Sequence, residues 1–135
     1  MNVGILIITH GQIGQNLLDT ATRVLGLCPV SVKALSVPFD CSPEQKLAEA
    51  AGMVDRLQSG DGVLVLTDMY GSTPSNVASR LTARDGIQVV SGINLPMLLR
   101  VLNYPELGLE ELVQKAVSGA RDGVRICEPM ARTEG

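Results

Sequence analysis

Aromatic residues are almost missing from this sequence, which contains no tryptophan, one phenylalanine and two tyrosines. Rings that could stack on nucleobases are therefore scarce. The formal net charge of −3 also provides no excess of basic side chains for contacts with a phosphate backbone. These two shortages predict that the protein has no nucleic-acid partner and that its core is aliphatic.

The sequence also lacks an apolar run long enough to cross a bilayer, and its amino terminus lacks the features of a secretory signal. We therefore expect a cytoplasmic protein with no direct membrane insertion. Cysteines are few and far apart, which fits neither a disulfide framework nor a zinc site. Cys28, Cys41 and Cys127 are expected to be small core or loop residues, and no metal ion or cofactor is predicted.

The 135 residues, 45% of them hydrophobic, are enough to bury about two thirds of the surface that the unfolded chain exposes. No linker or repeat divides them, which predicts a single domain over residues 1–135. Apolar runs alternate with amphipathic segments in the order β-α-β-α-β-α-β-α-α-β. This order predicts a three-layer α/β fold, with a doubly wound, mostly parallel sheet, helices on both faces and a short C-terminal edge strand at Val124 to Ile126.

The only histidine lies at the end of the most apolar of these runs, Ile5 to Thr9. Gly11 breaks the strand, and a helical pattern begins at Gln12, so His10 is in a strand-to-helix turn. Ligands of such sheets bind beyond the carboxyl ends of the strands, where the following helix presents free N–H groups to anions. His10 is therefore predicted to face a phosphate-binding crevice, although most lone histidines in small domains are simply packed or solvated.

A second polar side chain, Asp68, follows the buried run Val63 to Thr67. If the first and third strands are neighbours, His10 and Asp68 face each other at the point where the strand order reverses. A carboxylate that accepts a hydrogen bond from one ring nitrogen leaves the other nitrogen free as a nucleophile. This predicts a catalytic pair with His10 as the nucleophile and Asp68 as its orienting partner. The alternative for Asp68 alone is a turn residue or strand-end cap.

Two predicted helix starts converge on this pair, one after Gly11 and one at Thr73-Pro74. Their free amides, together with the hydroxyls of Ser72 and Thr73, predict a phosphoryl-binding set of Gly11, Ser72 and Thr73. Plain N-capping is the alternative for each hydroxyl. Because no lysine or arginine is present in these loops, the phosphoryl group would be held lightly, as suits a carrier.

Motifs for several competing chemistries are missing. The sequence has no nucleotide-binding P-loop, no third glycine in register with Gly11 and Gly14 for a dinucleotide fingerprint, and no G-x-S-x-G elbow. A Ser-His-Asp site with Ser72 stays open. Arg-His-Gly phosphatases need a second histidine, and this sequence has only one. A receiver domain phosphorylated on Asp68 needs an acidic pair after the first strand and a lysine near the end of the sheet, and neither is found.

Three motifs occur in order over essentially the whole length: Ile8 to Gly11, Thr67 to Pro74 and Gly92 to Leu98. Together they resemble the EIIA domain of the mannose family of the bacterial phosphoenolpyruvate-dependent sugar phosphotransferase system (PTS). The resemblance implies a phosphotransferase in which Nε2 of His10 accepts a phosphoryl group from the phosphocarrier HPr and passes it to a separate EIIB protein. It also implies that Asp68 binds the other ring nitrogen.

The same resemblance implies a homodimer in which the segment around Val124 to Ile126 pairs with the partner's sheet. It places Asn94 and Pro96 beside the site. Tyr70 stands where the family often has tryptophan, and Ser72 where it often has glycine. Two alternatives remain: a phosphorylation-dependent regulatory protein that moves no sugar, and a phosphoryl donor for a dihydroxyacetone kinase. The kinase branch is ranked lower because its first strand ends in Ser-His-Ser.

Overall fold

Strands and helices alternate in the computed structural model, which describes residues 2–27, 29 and 31–130. The four strands are all parallel and lie in the order β2-β1-β3-β4, which confirms the predicted doubly wound α/β fold. The elements are β1 (Gly4–His10), α1 (Ile13–Leu25), β2 (Val32–Val37), α2 (Pro43–Leu57), β3 (Val63–Thr67), α3 (Thr73–Leu81), β4 (Ile87–Ser91), α4 (Leu95–Leu102) and α5 (Leu109–Asp122).

Two apolar layers lie on opposite faces of the sheet, and the central strands supply side chains to both. Ile5 and Ile7 of β1 pack with residues of α1, α4 and α5, whereas Leu6 and Ile8 pack with residues of α2 and α3. This alternation is the period of two expected of a strand that is covered on both faces. The sheet is therefore sandwiched between helices, and polar groups are left to its edges. Among the described residues, no helix is long and apolar enough to cross a membrane.

Gly14, in the first turn of α1, allows that helix to approach β1 closely. A Cβ atom added there would lie 2.7 Å from Cγ2 of Ile7 and 3.0 Å from Oγ1 of Thr9. Ile7 is fully buried and Thr9 is 1% exposed, so neither side chain has room to move away. Gly52, within α2, offers a matched contrast because a Cβ there would meet only the end of the Arg56 side chain, at 3.6 Å.

The Gly14→Ala variant is expected to lower the free energy of unfolding by about 1–3 kcal/mol, because the added methyl group overpacks the contact between α1 and β1. Gly52→Ala should instead raise it by up to about 1 kcal/mol, since alanine is the better helix former. Urea unfolding monitored by circular dichroism measures both. Equal effects of the two substitutions would contradict the close approach of α1 to β1.

The prediction of a C-terminal edge strand at Val124 to Ile126 is wrong, because residues 124–130 form neither helix nor strand in this structure. The N–H of Val124 donates instead to the carbonyl of Arg121, at 3.2 Å, and continues the turn that ends α5. The side chains of Val124 and Ile126 are 76% and 93% exposed. A strand needs a neighbour whose backbone it can pair with, and residues 124–130 find none within the described part of the chain.

The two cysteines that the structure describes match the expectation of small core or loop residues. Cys41 is half-buried and packs against the core beneath α2, and Cys127 is exposed in the C-terminal segment. Both are free thiols. Cys28 lies outside the described residues.

Candidate functional site

The sheet order brings the carboxyl ends of β1 and β3 side by side. Ile8 of β1 is in register with Thr67 of β3, so the residues that follow them leave the sheet at the same carboxyl end. These residues include His10, at the end of β1, and Asp68, directly after β3. On its other side β1 pairs with β2 as far as His10, which is in register with Val37, so the backbone of His10 is held against β2.

The side chains of His10 and Asp68 are in direct contact, as the predicted strand order requires. Oδ2 of Asp68 lies 2.8 Å from Nδ1 of His10 and also accepts the backbone N–H of His10, at 3.0 Å. Oδ1 of Asp68 accepts the N–H of Met69, at 3.0 Å. Both carboxylate oxygens are therefore used, and the side chain cannot swing away without losing several hydrogen bonds.

This arrangement determines which nitrogen of His10 carries the proton. An ionised carboxylate only accepts hydrogen bonds, so the ring nitrogen that faces it must be the donor. We assign the proton to Nδ1 from this hydrogen-bond pattern. In the neutral imidazole Nε2 then holds a free lone pair. The His10 side chain is 22% exposed and that of Asp68 is 12% exposed, so the pair is sheltered but reachable from solvent.

Buried threonines hold the two strand ends. Oγ1 of Thr9 accepts the N–H of Gly14 in the first turn of α1, at 2.8 Å. Oγ1 of Thr67 lies 2.9 Å from Oγ of Ser91, at the end of β4. Thr67 is fully buried. These bonds tie β1 to α1 and β3 to β4 next to His10 and Asp68. Sequence reasoning missed both, since neither threonine stands at a recognisable capping position.

Glycines form the turns that leave the sheet beside this pair. Gly11 has φ +46° and Gly71 has φ +81°, a left-handed region that glycine adopts without a steric penalty. The N–H of Gly11 donates to the carbonyl of Val37 in β2, at 3.2 Å. The predicted phosphoryl-binding residue Gly11 is thus adjacent to His10 and reverses the chain into α1.

The start of α3 differs from the starts of α1, α2 and α4, where a side-chain oxygen accepts an N–H of the first turn. Thr9 accepts an N–H of α1, Ser42 accepts the N–H of Gln45 in α2 at 3.4 Å, and Asn94 accepts the N–H of Met97 in α4 at 2.8 Å. The N-cap residue of α3, Ser72, makes no such bond. Pro74 has no N–H, and the N–H of Asn76 donates to the carbonyl of Ser72 at 2.8 Å. The N–H of Thr73 therefore stands at this helix start without an intrahelical or side-chain acceptor, which leaves it open to an anion.

Ser72 and Thr73 stand at this open helix start, five residues or fewer beyond Asp68. The hydroxyl of Ser72 donates to the carbonyl of Met69, at 2.6 Å, so its proton is already used within the turn. Thr73 is the first residue of α3 and is exposed. The capping alternative considered for Ser72 is wrong, because its side chain turns back into the loop.

Exposed apolar side chains flank the site, and one of them lies against His10. The ring of Phe39, in the loop after β2, has its centroid 5.5 Å from that of the imidazole, with an angle of 31° between the ring planes. Phe39 is 93% exposed; Met69 and Tyr70, directly after Asp68, are 58% and 87% exposed. Sequence reasoning missed Phe39 because a single apolar residue in a loop has no periodicity to reveal it.

Asn94 has a structural role beside the site. Its side-chain oxygen caps α4, and its amide nitrogen donates to the carbonyl of Ala120 in α5, at 3.3 Å. It therefore ties the start of α4 to the end of α5. Within residues 2–27, 29 and 31–130, no group of three or more histidine, cysteine, aspartate or glutamate side chains could hold a metal ion.

Comparison with known proteins gives a consistent family. A family model described as "PTS system fructose IIA component" (EIIA-man) matches residues 4–117. The "PTS system mannose-specific EIIAB component" of Escherichia coli strain K12 is 33% identical over 128 residues, which cover 93% of this chain. The match spans 39% of that relative's length.

Two further similarities extend this result. The "Transcriptional regulatory protein LevR" of Bacillus subtilis strain 168 is 31% identical over 139 residues, which cover 98% of this chain and 14% of LevR. The solved structure of the phosphotransferase system component EIIA from Streptococcus agalactiae superposes with a TM-score of 0.82 at 26% identity. That superposition covers 92% of this chain and 96% of the other.

Proposed function

The chain belongs to the EIIA-man family of the phosphotransferase system, and on this premise we propose that it carries a phosphoryl group on Nε2 of His10. The observation that supports this most strongly is the 2.8 Å contact between Nδ1 of His10 and Oδ2 of Asp68. Asp68 keeps the proton on Nδ1 and the lone pair on Nε2. The proposed donor is phospho-HPr, and the proposed acceptor is a separate EIIB protein.

The proposed transfer exchanges one phosphorus–nitrogen bond for another. The Nε2 lone pair of His10 attacks the phosphorus atom, and the bond to the donor's nitrogen breaks with its electron pair returning to the donor. His10 keeps its proton on Nδ1, so its ring becomes positively charged when Nε2 is phosphorylated. The carboxylate of Asp68 stabilises that charge at hydrogen-bond distance. The reverse exchange delivers the phosphoryl group to the acceptor.

The open start of α3 is proposed to receive the phosphoryl oxygens. Uncapped N–H groups and the helix dipole favour an anion by about 0.3–1 kcal/mol, and by up to about 2 kcal/mol in partly buried geometries. In this proposal the amide of Thr73 and its hydroxyl donate hydrogen bonds to the phosphoryl oxygens. Gly11, which has no side chain, leaves space for them beside His10, and Ser72 holds the turn before α3 through its bond to Met69. Without a lysine or arginine in these loops, binding stays weak enough for onward transfer.

The proposal includes the assembly and location of the carrier. Residues 1–135 are proposed to act as one EIIA unit in the cytoplasm, and to form a homodimer. The exposed apolar side chains of Val124, Ile126 and Met130, at 76%, 93% and 93%, suit a segment that pairs with a second copy of the chain. Pairing with the partner's sheet would provide the neighbour that this segment lacks in one chain.

A regulatory role is a second candidate, favoured by the likeness to LevR over 98% of this chain. In that case His10 would be phosphorylated in the same way. The phosphorylated protein would then change its affinity for a protein outside sugar transport and would pass little label to EIIB. Both roles need the same site geometry and differ only in the fate of the phosphoryl group.

Labelled phosphoenolpyruvate with enzyme I and HPr is expected to place one phosphoryl group on each chain, in an acid-labile and alkali-stable form. Adding a mannose-type EIIB should move most of that label to EIIB. Retention of the label, with altered binding of another protein, would favour the regulatory role. Failure of active phospho-HPr to label the chain at all would contradict both.

A further inference from the structure

Phe39 combines two properties that are unusual in one residue. Its ring lies 5.5 Å from the imidazole of His10, yet it is 93% exposed. At that exposure the ring adds little to the apolar burial that stabilises the fold of this chain. The exposure also means that the ring covers little of His10, so its contact with the imidazole does not bury the nucleophile.

Near-attack geometry requires reacting atoms about 3–3.5 Å apart. A phosphohistidine on another protein must therefore bring its phosphorus within that distance of His10. The ring of Phe39 is itself only 5.5 Å from the imidazole, so a protein surface that brings a histidine up to His10 comes within reach of this ring. The same holds for a histidine that later accepts the phosphoryl group.

From this geometry we propose that Phe39 is a docking residue shared by the phosphoryl donor and acceptor proteins, and that it sets the affinity of both complexes. Its occupant is an apolar patch beside the reactive histidine of each partner. Aromatic side chains that are exposed in the free protein and buried in a complex are the usual binding hot spots. This inference rests on the proposed function, because it names the residue through which the same site meets its partners.

The test is the steady-state kinetics of Phe39→Ala with phospho-HPr as donor and with EIIB as acceptor. Removing the ring is expected to lower kcat/KM about five- to thirtyfold in both directions. The loss should appear in KM while kcat stays within about twofold, because the His10–Asp68 contact does not involve Phe39. The Phe39→Tyr variant, which keeps the ring, should recover most of the affinity.

Phosphoramidate, a small phosphoryl donor with no protein surface, provides the internal control. It should phosphorylate Phe39→Ala and the natural protein at rates within about twofold of each other. Helix α4 begins after the carboxyl end of β4 and leads away from it, and Tyr104 follows the end of that helix. The Tyr104→Ala variant therefore removes an aromatic ring away from His10 and should leave kcat/KM with phospho-HPr unchanged.

The outcomes separate the docking role from the function. If phospho-HPr labels Phe39→Ala with unchanged KM, Phe39 is not a docking residue, although the carrier function stands. A fall in kcat, or a matching loss with phosphoramidate, would also overturn the docking role and show that Phe39 acts on His10 itself. If the natural protein accepts label from phosphoramidate and none from phospho-HPr, the proposed function fails.

Discussion

The His10→Gln variant should lose phosphoryl uptake from phospho-HPr by at least about 10³-fold, which in a labelling gel means no detectable band. The loss is expected to be complete because His10 is the only histidine in the chain. No second imidazole can replace it. Glutamine is a suitable replacement because it keeps a polar side chain opposite Asp68 while removing the nucleophilic nitrogen.

Folding of His10→Gln should be nearly unchanged, since the His10 side chain lies at the carboxyl end of β1 and is 22% exposed. Thermal unfolding within a few degrees of the natural protein would separate a chemical loss from a folding defect. Residual label in the variant would contradict the carrier role of His10. If that label were labile to alkali, it would indicate an acyl phosphate and move the acceptor to a carboxylate such as Asp68.

The Asp68→Asn variant should lower the rate of phosphoryl uptake about 10²- to 10⁴-fold. The natural carboxylate accepts on both oxygens, from His10 on Oδ2 and from Met69 on Oδ1. Asparagine has one acceptor oxygen and one amide group. Either orientation therefore sets an NH₂ group against a donor, at His10 or at Met69.

When the amide faces the imidazole, it selects the tautomer with the proton on Nε2 and removes the lone pair that attacks phosphorus. Asp61→Asn is the matched control, since Asp61 is exposed in the loop before β3, at the end of that strand opposite to Asp68. This control should keep full activity. Uptake by Asp68→Asn at the natural rate would show that the carboxylate does not orient the ring.

The contact between His10 and Asp68 could be predicted from the sequence because it depends on which strands are neighbours in the sheet. The run Val63–Thr67 is buried throughout, so its pattern gave the bounds of β3 without ambiguity. The strand order then required the side chain at the end of β1 to meet the one after β3. Contact between His10 and Asp68 was predictable for that reason, before any side-chain geometry was known.

Other features depend on local backbone angles and on partners, which carry no periodic signal. Ser72 has the residue type of a helix cap, but its side chain bonds to Met69 instead of α3. Thr9 caps α1 from within a strand. The predicted strand at Val124 to Ile126 shows the same limit at larger scale, since strand formation depends on a neighbour that one sequence does not supply.

The most direct test of the central claim is nuclear magnetic resonance of the phosphorylated, ¹⁵N-labelled protein. One histidine gives one set of imidazole signals, so long-range ¹H–¹⁵N correlations identify the phosphorylated nitrogen without further assignment. The predicted result is a phosphoryl group on Nε2 and a proton on Nδ1, which is the nitrogen that faces Asp68. A phosphoryl group on Nδ1, or an unmodified imidazole in a fully labelled protein, would contradict it.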